Sequence, residues 1–509
     1  MTRQPTAAEF REWAHRVVEW VAGYYERVEG LPVRSRVSPG EVAARLPGRA
    51  PEKGWGDAGG EGGAAGGGDG FERFMRDLEE VVVPGLTHWQ SPRFFGYFPS
   101  NASYPAIVGE MLSAGLNVNG MLWSTSPAAT EVETRVVDWL GELIGLPGRF
   151  LSPSGTGGGC IQGTASESAL VALAAARRRA GWGRGVELSR LTVYASEQAH
   201  SSIVKAAMIA GLAAGPEDRR QVRLIGTDAE LAMDVGALEA ALREDVSAGR
   251  VPCFVVATVG TTGTTAVDAV DRIAGAIGRV CGGEGAGARP WLHVDAAHAG
   301  AACVCEEHRW MLRGVEMADS ICFNPHKWLL TNFDCDCFWT AERASLTGAL
   351  SITPEYLRNA ATDAGSVIDY RDWQVALGRR FRALKLWLVL RCYGAEGLRA
   401  HVREHVRLAG LFEAWVRADG RFEVVSPRTM NLVCFRLRGG DGANRRLMEG
   451  LNGSGSMYLS HTVVPDGAGG TKVALRMAIG ATLTEERHVR AAWEAIAREA
   501  QVQGASAAS

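Results

Sequence analysis

The chain has 509 residues, 46% hydrophobic and 22% charged, so it supports a large core without disulfide or metal staples and, by length, roughly two to four domains. Lys+Arg 54 against Asp+Glu 57 leaves a formal net charge of −3. That balance excludes an electrostatic case for nucleic acid or an anionic membrane as partner. The ten cysteines do not form a disulfide framework: most sit in apolar, strand-like runs (Cys253, Cys322, Cys434), where cysteine is a small hydrophobe. Cys335 and Cys337 are one residue apart, which is neither a redox pair nor a zinc knuckle, and no metal site is expected. No run approaches the roughly 18 apolar residues of a membrane span, and the N-terminus lacks the apolar core of a signal peptide. A reduced, cytoplasmic protein is expected.

In chain order, Phe10, Trp13, Val17, Trp20, Val21 and Tyr24 recur at helical spacing, which predicts an amphipathic helix with an aromatic face. Glu12, Glu19 and Glu26 break up any basic polar face, so this face is expected to pack on a partner subunit or the body of the protein. Residues 59–70 read GGEGGAAGGGDG, a surface loop too poor in side chains to pack. Residues 281–288 and 466–470 resemble it. From about residue 130 to 340, β-branched runs at 191–195, 222–225, 253–259, 291–295 and 320–323 alternate with helical patterns such as 166–179 and 267–280. This alternation predicts βαβ units and a mainly parallel sheet covered on both faces. Beyond 384, strand-like 422–425, 432–437 and 473–479 and helical 485–499 predict a smaller α+β domain. The expected division is a helical N-terminal segment 1–103, a large α/β domain 104–384 and a C-terminal domain 385–509.

Ligands of open α/β sheets collect at the carboxyl ends of the strands, and polar residues stand at four of the expected ends. Lys327 follows strand 320–323 after the turn Asn324-Pro325-His326; it either snorkels to solvent or is desolvated into a Schiff-base nucleophile. Asp295 ends strand 291–295, before Ala296, Ala297 and His298. It serves there as a helix cap, a metal ligand or the partner of a cationic ring nitrogen, and the small alanines let a flat ring approach the backbone. Thr258 precedes the Gly-rich turn Gly260–Gly263, and His200 opens a helix. The run Gly155 to Gly163 leads into Thr164, Ala165, Ser166 and Glu167. Thr164 and Glu167 fit a capping box, and the helix start is either simply capped or an anion site suited to phosphate. It is neither a P-loop nor a dinucleotide fingerprint. Taken together, a phosphate cradle, a cation partner, an imidazole and a Schiff-base lysine suit pyridoxal phosphate.

The segments Asn324-Pro325-His326-Lys327-Trp328-Leu329-Leu330, Asn332-Phe333-Asp334-Cys335, Ser91-Pro92-Arg93-Phe94-Phe95-Gly96-Tyr97-Phe98-Pro99 and the stretch 369–381 carry a resemblance to the pyridoxal-phosphate group II decarboxylases. Within them the chain looks closest to the plant-type tryptophan and tyrosine decarboxylases, from Phe10 to about Glu499. The resemblance implies a type I, aspartate-aminotransferase-like α/β fold with a mainly parallel seven-stranded sheet, and a homodimer with the active site at its interface. It implies pyridoxal 5′-phosphate bound covalently to Lys327, Asp295 as the pyridinium partner, and His200 stacked on the ring. Thr258 and Ala297 would line the cofactor, with Thr164, Ala165, Ser166 and Asn324 at its phosphate and His326 and Gly378 also in the cofactor set. Trp89, Tyr97, Phe98, Pro99, Met121 and Gly378 would form the substrate pocket. Tyr356, in the segment Ser351-Ile352-Thr353-Pro354-Glu355-Tyr356, matches the general acid of a mobile catalytic loop. Relatives acting as aldehyde synthases carry Phe at that position, so the amine is the expected product. Gly378, where relatives using phenols or imidazole often carry Ser, leaves room for indole and favours tryptophan and 5-hydroxytryptophan, with tyrosine, dopa and phenylalanine as further substrates. The alternatives are an aldehyde synthase and a non-catalytic scaffold on the same fold. Three residues depart from the family: His298 replaces a Tyr, Met121 an aromatic, and Asp336 is an unusual charge in a strand-like run.

Overall fold

The computed structural model describes residues 4–55, 68–182, 185–282, 289–352 and 367–506. They divide into two compact units. The larger, residues 96–444 and 460–482, is built on a seven-stranded sheet: β1 (Gly158–Gln162), β2 (Leu191–Ser196), β3 (Val222–Ile225), β4 (Val251–Thr258), β5 (Trp291–Asp295), β6 (Ser320–Phe323) and β7 (Asp336–Thr340). Their order is β1-β7-β6-β5-β4-β2-β3. The β2–β3, β2–β4, β4–β5 and β5–β6 pairs are parallel, and β7 is antiparallel to both its neighbours. The expected mainly parallel seven-stranded sheet is therefore present, with one reversed strand.

Both faces are covered, as buried parallel strands require. On one face β5 and β6 contribute Leu292, Val294, Ile321 and Phe323, packed with the helices Pro127–Leu143, Val235–Ser247 and Val270–Cys281. On the other, Cys160, Val193, Phe254, Trp291 and Phe338 meet the Ala-rich helix Ala165–Arg179 and the helix Ser202–Ile209. A second sheet in this unit, β8 (Phe422–Val424), β9 (Leu432–Leu437), β10 (Ser460–Pro465) and β11 (Thr471–Ala478), is antiparallel with order β10-β11-β9-β8. The 466–470 segment is the β10–β11 hairpin loop. Asp466 Oδ1 accepts from the amides of Ala468 at 2.7 Å and Gly470 at 2.9 Å, and Gly467 and Gly469 take φ of 82° and 87°, open to glycine without strain.

The smaller unit gathers residues 1–95, 445–459 and 483–509. Its first helix, Ala7–Arg27, starts with a reciprocal capping box between Thr6 and Glu9. The expected aromatic face is real: Trp13 stacks on Phe71 with centroids 5.4 Å apart, and Trp20 Nε1 donates to Glu79 at 3.0 Å. Phe10 stays 66% exposed.

The sequence-based division differs from these units. The boundary after 384 falls in the first turn of the helix Ala383–Ala418, whose backbone hydrogen bonds leave no room for a linker. The second sheet shares a unit with the first, whereas the last helix, Glu486–Ser506, groups with the N-terminal residues. Of the low-complexity runs, 59–67 and 283–288 lie outside the described residues. Among the described residues no helix is long and apolar enough to cross a membrane, and all ten cysteines are free, with only Cys392 exposed.

Candidate active site

The parallel register sets Thr258 of β4 opposite Asp295 of β5, and Asp295 opposite Cys322 of β6. The three strands therefore end level, and the residues leaving them share one edge. Asp295, 5% exposed, accepts from the Ala297 amide at 3.1 Å. Ala297 O in turn accepts from the Asn324 amide at 2.9 Å, which ties the exits of β5 and β6 together. Beyond them the one-turn helix Pro325–Trp328 carries Lys327. The Lys327 Nζ lies 5.7 Å from the Phe98 ring centroid. Desolvation lowers the Lys327 pKa, and the charge of Asp295 opposes it. Lys327 is part-buried and its pKa is lowered, which favours the desolvated amine over a side chain that snorkels to solvent.

His326 and His200 are both uncharged. His326 Nδ1 accepts from the Cys335 amide at 2.9 Å, so the ring proton is on Nε2, and burial pushes its pKa down to about 3. The Ser202 amide likewise points at His200 Nδ1, at 3.2 Å. Desolvation lowers the His200 pKa, against the opposing charge of Asp295.

The helix Ala165–Arg179 begins at the same edge. Thr164 is its N-cap, but the expected capping box is not formed: the Thr164 side chain makes no capping bond, and Glu167 accepts from the Gly163 amide at 2.7 Å instead. Glu167 reaches one residue further back, and the amides of Ala165 and Ser166 have no acceptor among the described residues. Free first-turn amides with the Thr164 and Ser166 hydroxyls suit a phosphate. Thr258 Oγ1, Asn324 Oδ1 and Asp336 Oδ1 at this edge are buried and unpartnered within the protein. Buried polar atoms are rarely left so, and a polar cofactor seated against them would satisfy them. The residues present thus fit pyridoxal 5′-phosphate.

Tyr97, Phe98 and Pro99 form one wall. Tyr97 takes a φ of 51°, and its amide donates to Ser460 Oγ at 2.9 Å. Pro99 lies where a Cβ on Gly480 would approach its Cγ to 2.6 Å, so Gly480 is needed for that contact. Trp89 belongs to the smaller unit, where its ring lies 4.4 Å from that of Phe94. Met121 and Gly378 also belong to the larger unit. Met121 O accepts from the Arg371 amide at 3.0 Å, and Gly378 precedes Arg379, which pairs with Glu133 in the interior. Neither makes a hydrogen bond with Lys327, Asp295 or His200 among the described residues. Tyr356 lies outside the described residues.

Sequence reasoning missed two buried charges. Asp268 accepts from the amides of Thr258 at 2.8 Å and Met233 at 2.7 Å, fixing the end of β4; burial raises its pKa to about 7. Arg476, on β11, donates to Gly263 O at 3.0 Å and Ser460 Oγ at 2.7 Å, with its guanidinium carbon 5.2 Å from the Phe98 ring centroid. The available signal was a lone Arg inside the apolar run 473–479.

Comparison with known proteins agrees with this geometry. A family model described as the pyridoxal-dependent decarboxylase conserved domain matches residues 64–438. The chain is 46% identical over 508 residues to tryptophan decarboxylase 2 of Oryza sativa subsp. japonica, spanning 98% of this chain and 96% of that protein. It is 45% identical over 502 residues to phenylacetaldehyde synthase of Arabidopsis thaliana, spanning 97% and 96%. An Oryza sativa TDC crystallised with PLP and tryptamine has a TM-score of 0.90 at 43% identity, covering 99% of this chain and 100% of that one.

Proposed function

The chain belongs to the pyridoxal-dependent decarboxylase family, and from that premise we propose that it removes CO2 from aromatic L-amino acids to give arylalkylamines, with tryptophan and 5-hydroxytryptophan favoured. It is a pyridoxal-phosphate-dependent carboxy-lyase. The observation that carries the reading is the placement of Lys327 and Asp295 at the exits of adjacent strands, beside a helix start with free amides.

Bound at Lys327, the cofactor supplies an electron sink for the pair left behind when the carboxylate departs. Asp295 holds a proton at the pyridine nitrogen. Thr164, Ala165, Ser166 and Asn324 hold the phosphate, and Thr258 and Ala297 line the ring. His200 presents an uncharged ring that does not compete with that proton. Tyr97, Phe98, Pro99 and Met121 wall the aromatic side chain. Gly378 leaves space for indole. Tyr356 returns a proton to Cα, which makes the amine the product.

We place the chain in a homodimer with the site at the subunit interface. The helix Tyr104–Leu116 supports this, since Tyr104, Met111, Leu112 and Leu116 are all exposed on it, more apolar surface than a lone helix face usually leaves to water. The ten free thiols support a reducing, cytoplasmic setting.

The test is a product assay on cofactor-loaded protein with tryptophan, 5-hydroxytryptophan, tyrosine, dopa, phenylalanine and histidine, with Lys327→Ala as the blank. Tryptamine and serotonin as the main products are expected. Aldehyde with equimolar peroxide would make the chain an aldehyde synthase instead, a reading favoured by its 45% identity to phenylacetaldehyde synthase.

A further inference from the structure

Asp336 is fully buried, with no exposed surface. It opens β7, directly across from Gln162 at the end of β1. Its Oδ2 accepts a hydrogen bond from Ser168 Oγ, and Ser168 is in the first turn of the helix that Thr164 caps. The antiparallel pair Phe323–Cys337 carries Asn324 to the level of Asp336. Both residues keep a buried oxygen without a partner, Asn324 Oδ1 and Asp336 Oδ1. The carboxyl group thus sits between the helix start and the β6 exit, at the end of the site where a phosphate would lie.

We propose that Asp336 belongs to the phosphate end of the cofactor site and works there as the neutral acid, with Oδ1–H as a donor to the phosphate or to Asn324 Oδ1. The inference rests on the cofactor reading above. Ser168 decides which oxygen carries the proton: its hydroxyl occupies Oδ2 and leaves Oδ1 for the hydrogen. The surroundings favour the neutral form. Burial raises the pKa of the carboxyl group, and the like charges of Asp295 from β5 and Glu167 from the helix add to it; the Ser168 hydrogen bond and Lys327 oppose them. Cys322 of β6 adds no charge, since its thiol is itself pushed well up. A phosphate, carrying about −1.5 to −2 charge at neutral pH, would meet a donor while Asp336 is protonated and a repelling anion once it ionises. Cofactor affinity should therefore fall with rising pH through a group of the protein.

The experiment titrates the full chain, freed of cofactor, with pyridoxine 5′-phosphate, which keeps ring and phosphate but forms no imine. Tryptophan fluorescence reports binding across the pH range in which the protein stays folded, and inorganic phosphate serves as a second ligand. Wild-type affinity should drop by about tenfold per pH unit once Asp336 ionises. Asp336→Asn keeps an acceptor for Ser168 and should remove that drop, leaving only the slope of the ligand's own titration. Ser168→Ala removes the donor that stabilises the carboxylate and should move the drop to higher pH. Superimposed pH profiles for the wild type and both variants would overturn the inference and leave the cofactor reading intact. Failure of the wild type to bind pyridoxine 5′-phosphate, or pyridoxal 5′-phosphate with a visible band, would overturn both.

Discussion

His298 lies flat on Phe98, ring centroids 3.8 Å apart at an interplanar angle of 11°. Its other face meets Trp328 at 5.0 Å and 13°. Asn431 fixes the imidazole in plane: Asn431 Nδ2 donates to Ile479 O at 2.9 Å, so its Oδ1 must accept from His298 Nε2, at 2.8 Å. His298 therefore backs Phe98, which stands 5.7 Å from Lys327 Nζ.

Truncating that support should loosen Phe98. His298→Ala is expected to cost about 2 to 3 kcal/mol of stability, read as a lower urea midpoint. KM for aromatic substrates should rise more than kcat falls, because His298 touches the wall and not Lys327. Equal KM values for variant and wild type would show that Phe98 needs no backing.

Tyr356→Phe should divert product from amine to aldehyde, ammonia and peroxide, and the amine that remains should fall by about 100-fold or more, the range set by loss of one general acid. A coupled peroxidase assay with mass spectrometry of the products decides this. Unchanged amine output would remove Tyr356 from the protonation step.

A Cβ added at Gly378 would meet no heavy atom within 4 Å in the chain, so Gly378→Ser should fold as the wild type does. Its kcat/KM ratio for tryptophan over tyrosine should fall by about tenfold, the scale of one or two heavy atoms in a pocket. An unchanged ratio with unchanged stability would remove the steric basis for preferring indole.

Acid should unfold the larger unit through its buried imidazoles. Burial lowers His293 and His405 to about 4 and His298 and His326 to about 3, against an unfolded value near ~6.5. Below that value the unfolded chain binds protons that the folded chain refuses, so stability rises with pH. Their contribution is complete above about pH 6.5 and is lost as pH falls toward the folded values, at up to about 1.4 kcal/mol per pH unit for each group. Urea unfolding at a series of pH values gives the slope, and His326→Asn should reduce it by one proton. A flat profile between about pH 6.5 and about pH 5 would contradict the assignment.

The five strands from β2 to β6 were legible in the sequence because each is a short β-branched or aromatic run bounded by turn residues. β1 and β7 were not. β1 reads GGCIQ, in which Ile161 alone is a strong β former and two glycines weaken the run. Its glycines answer to neighbours far away in the chain: a Cβ on Gly159 would come within 2.4 Å of Val137 Cγ1 and 2.6 Å of Trp339. β7 opens with an Asp that makes sense only against Ser168, 168 positions away in the chain. Lys327, Asp295, Thr258 and the helix start could be placed because each follows a recognisable strand or opens a recognisable helix. Asp268 and Arg476 could not, because loop closure and a second sheet bring them in. The boundary expected at 384 falls inside a helix, since a change of pattern along the chain need not be a gap in space.

The single reversed strand has a consequence for how this enzyme could be varied. In the other six strands the first residues lie at the edge away from the site, so substitutions there are filtered for packing alone. In β7 the opening residue is at the chemistry, and the strand's own backbone anchors it. A laboratory selection for new cofactor or substrate behaviour that randomises only loops and strand ends would pass over position 336, and one that includes it would sample a site wall without loosening any loop.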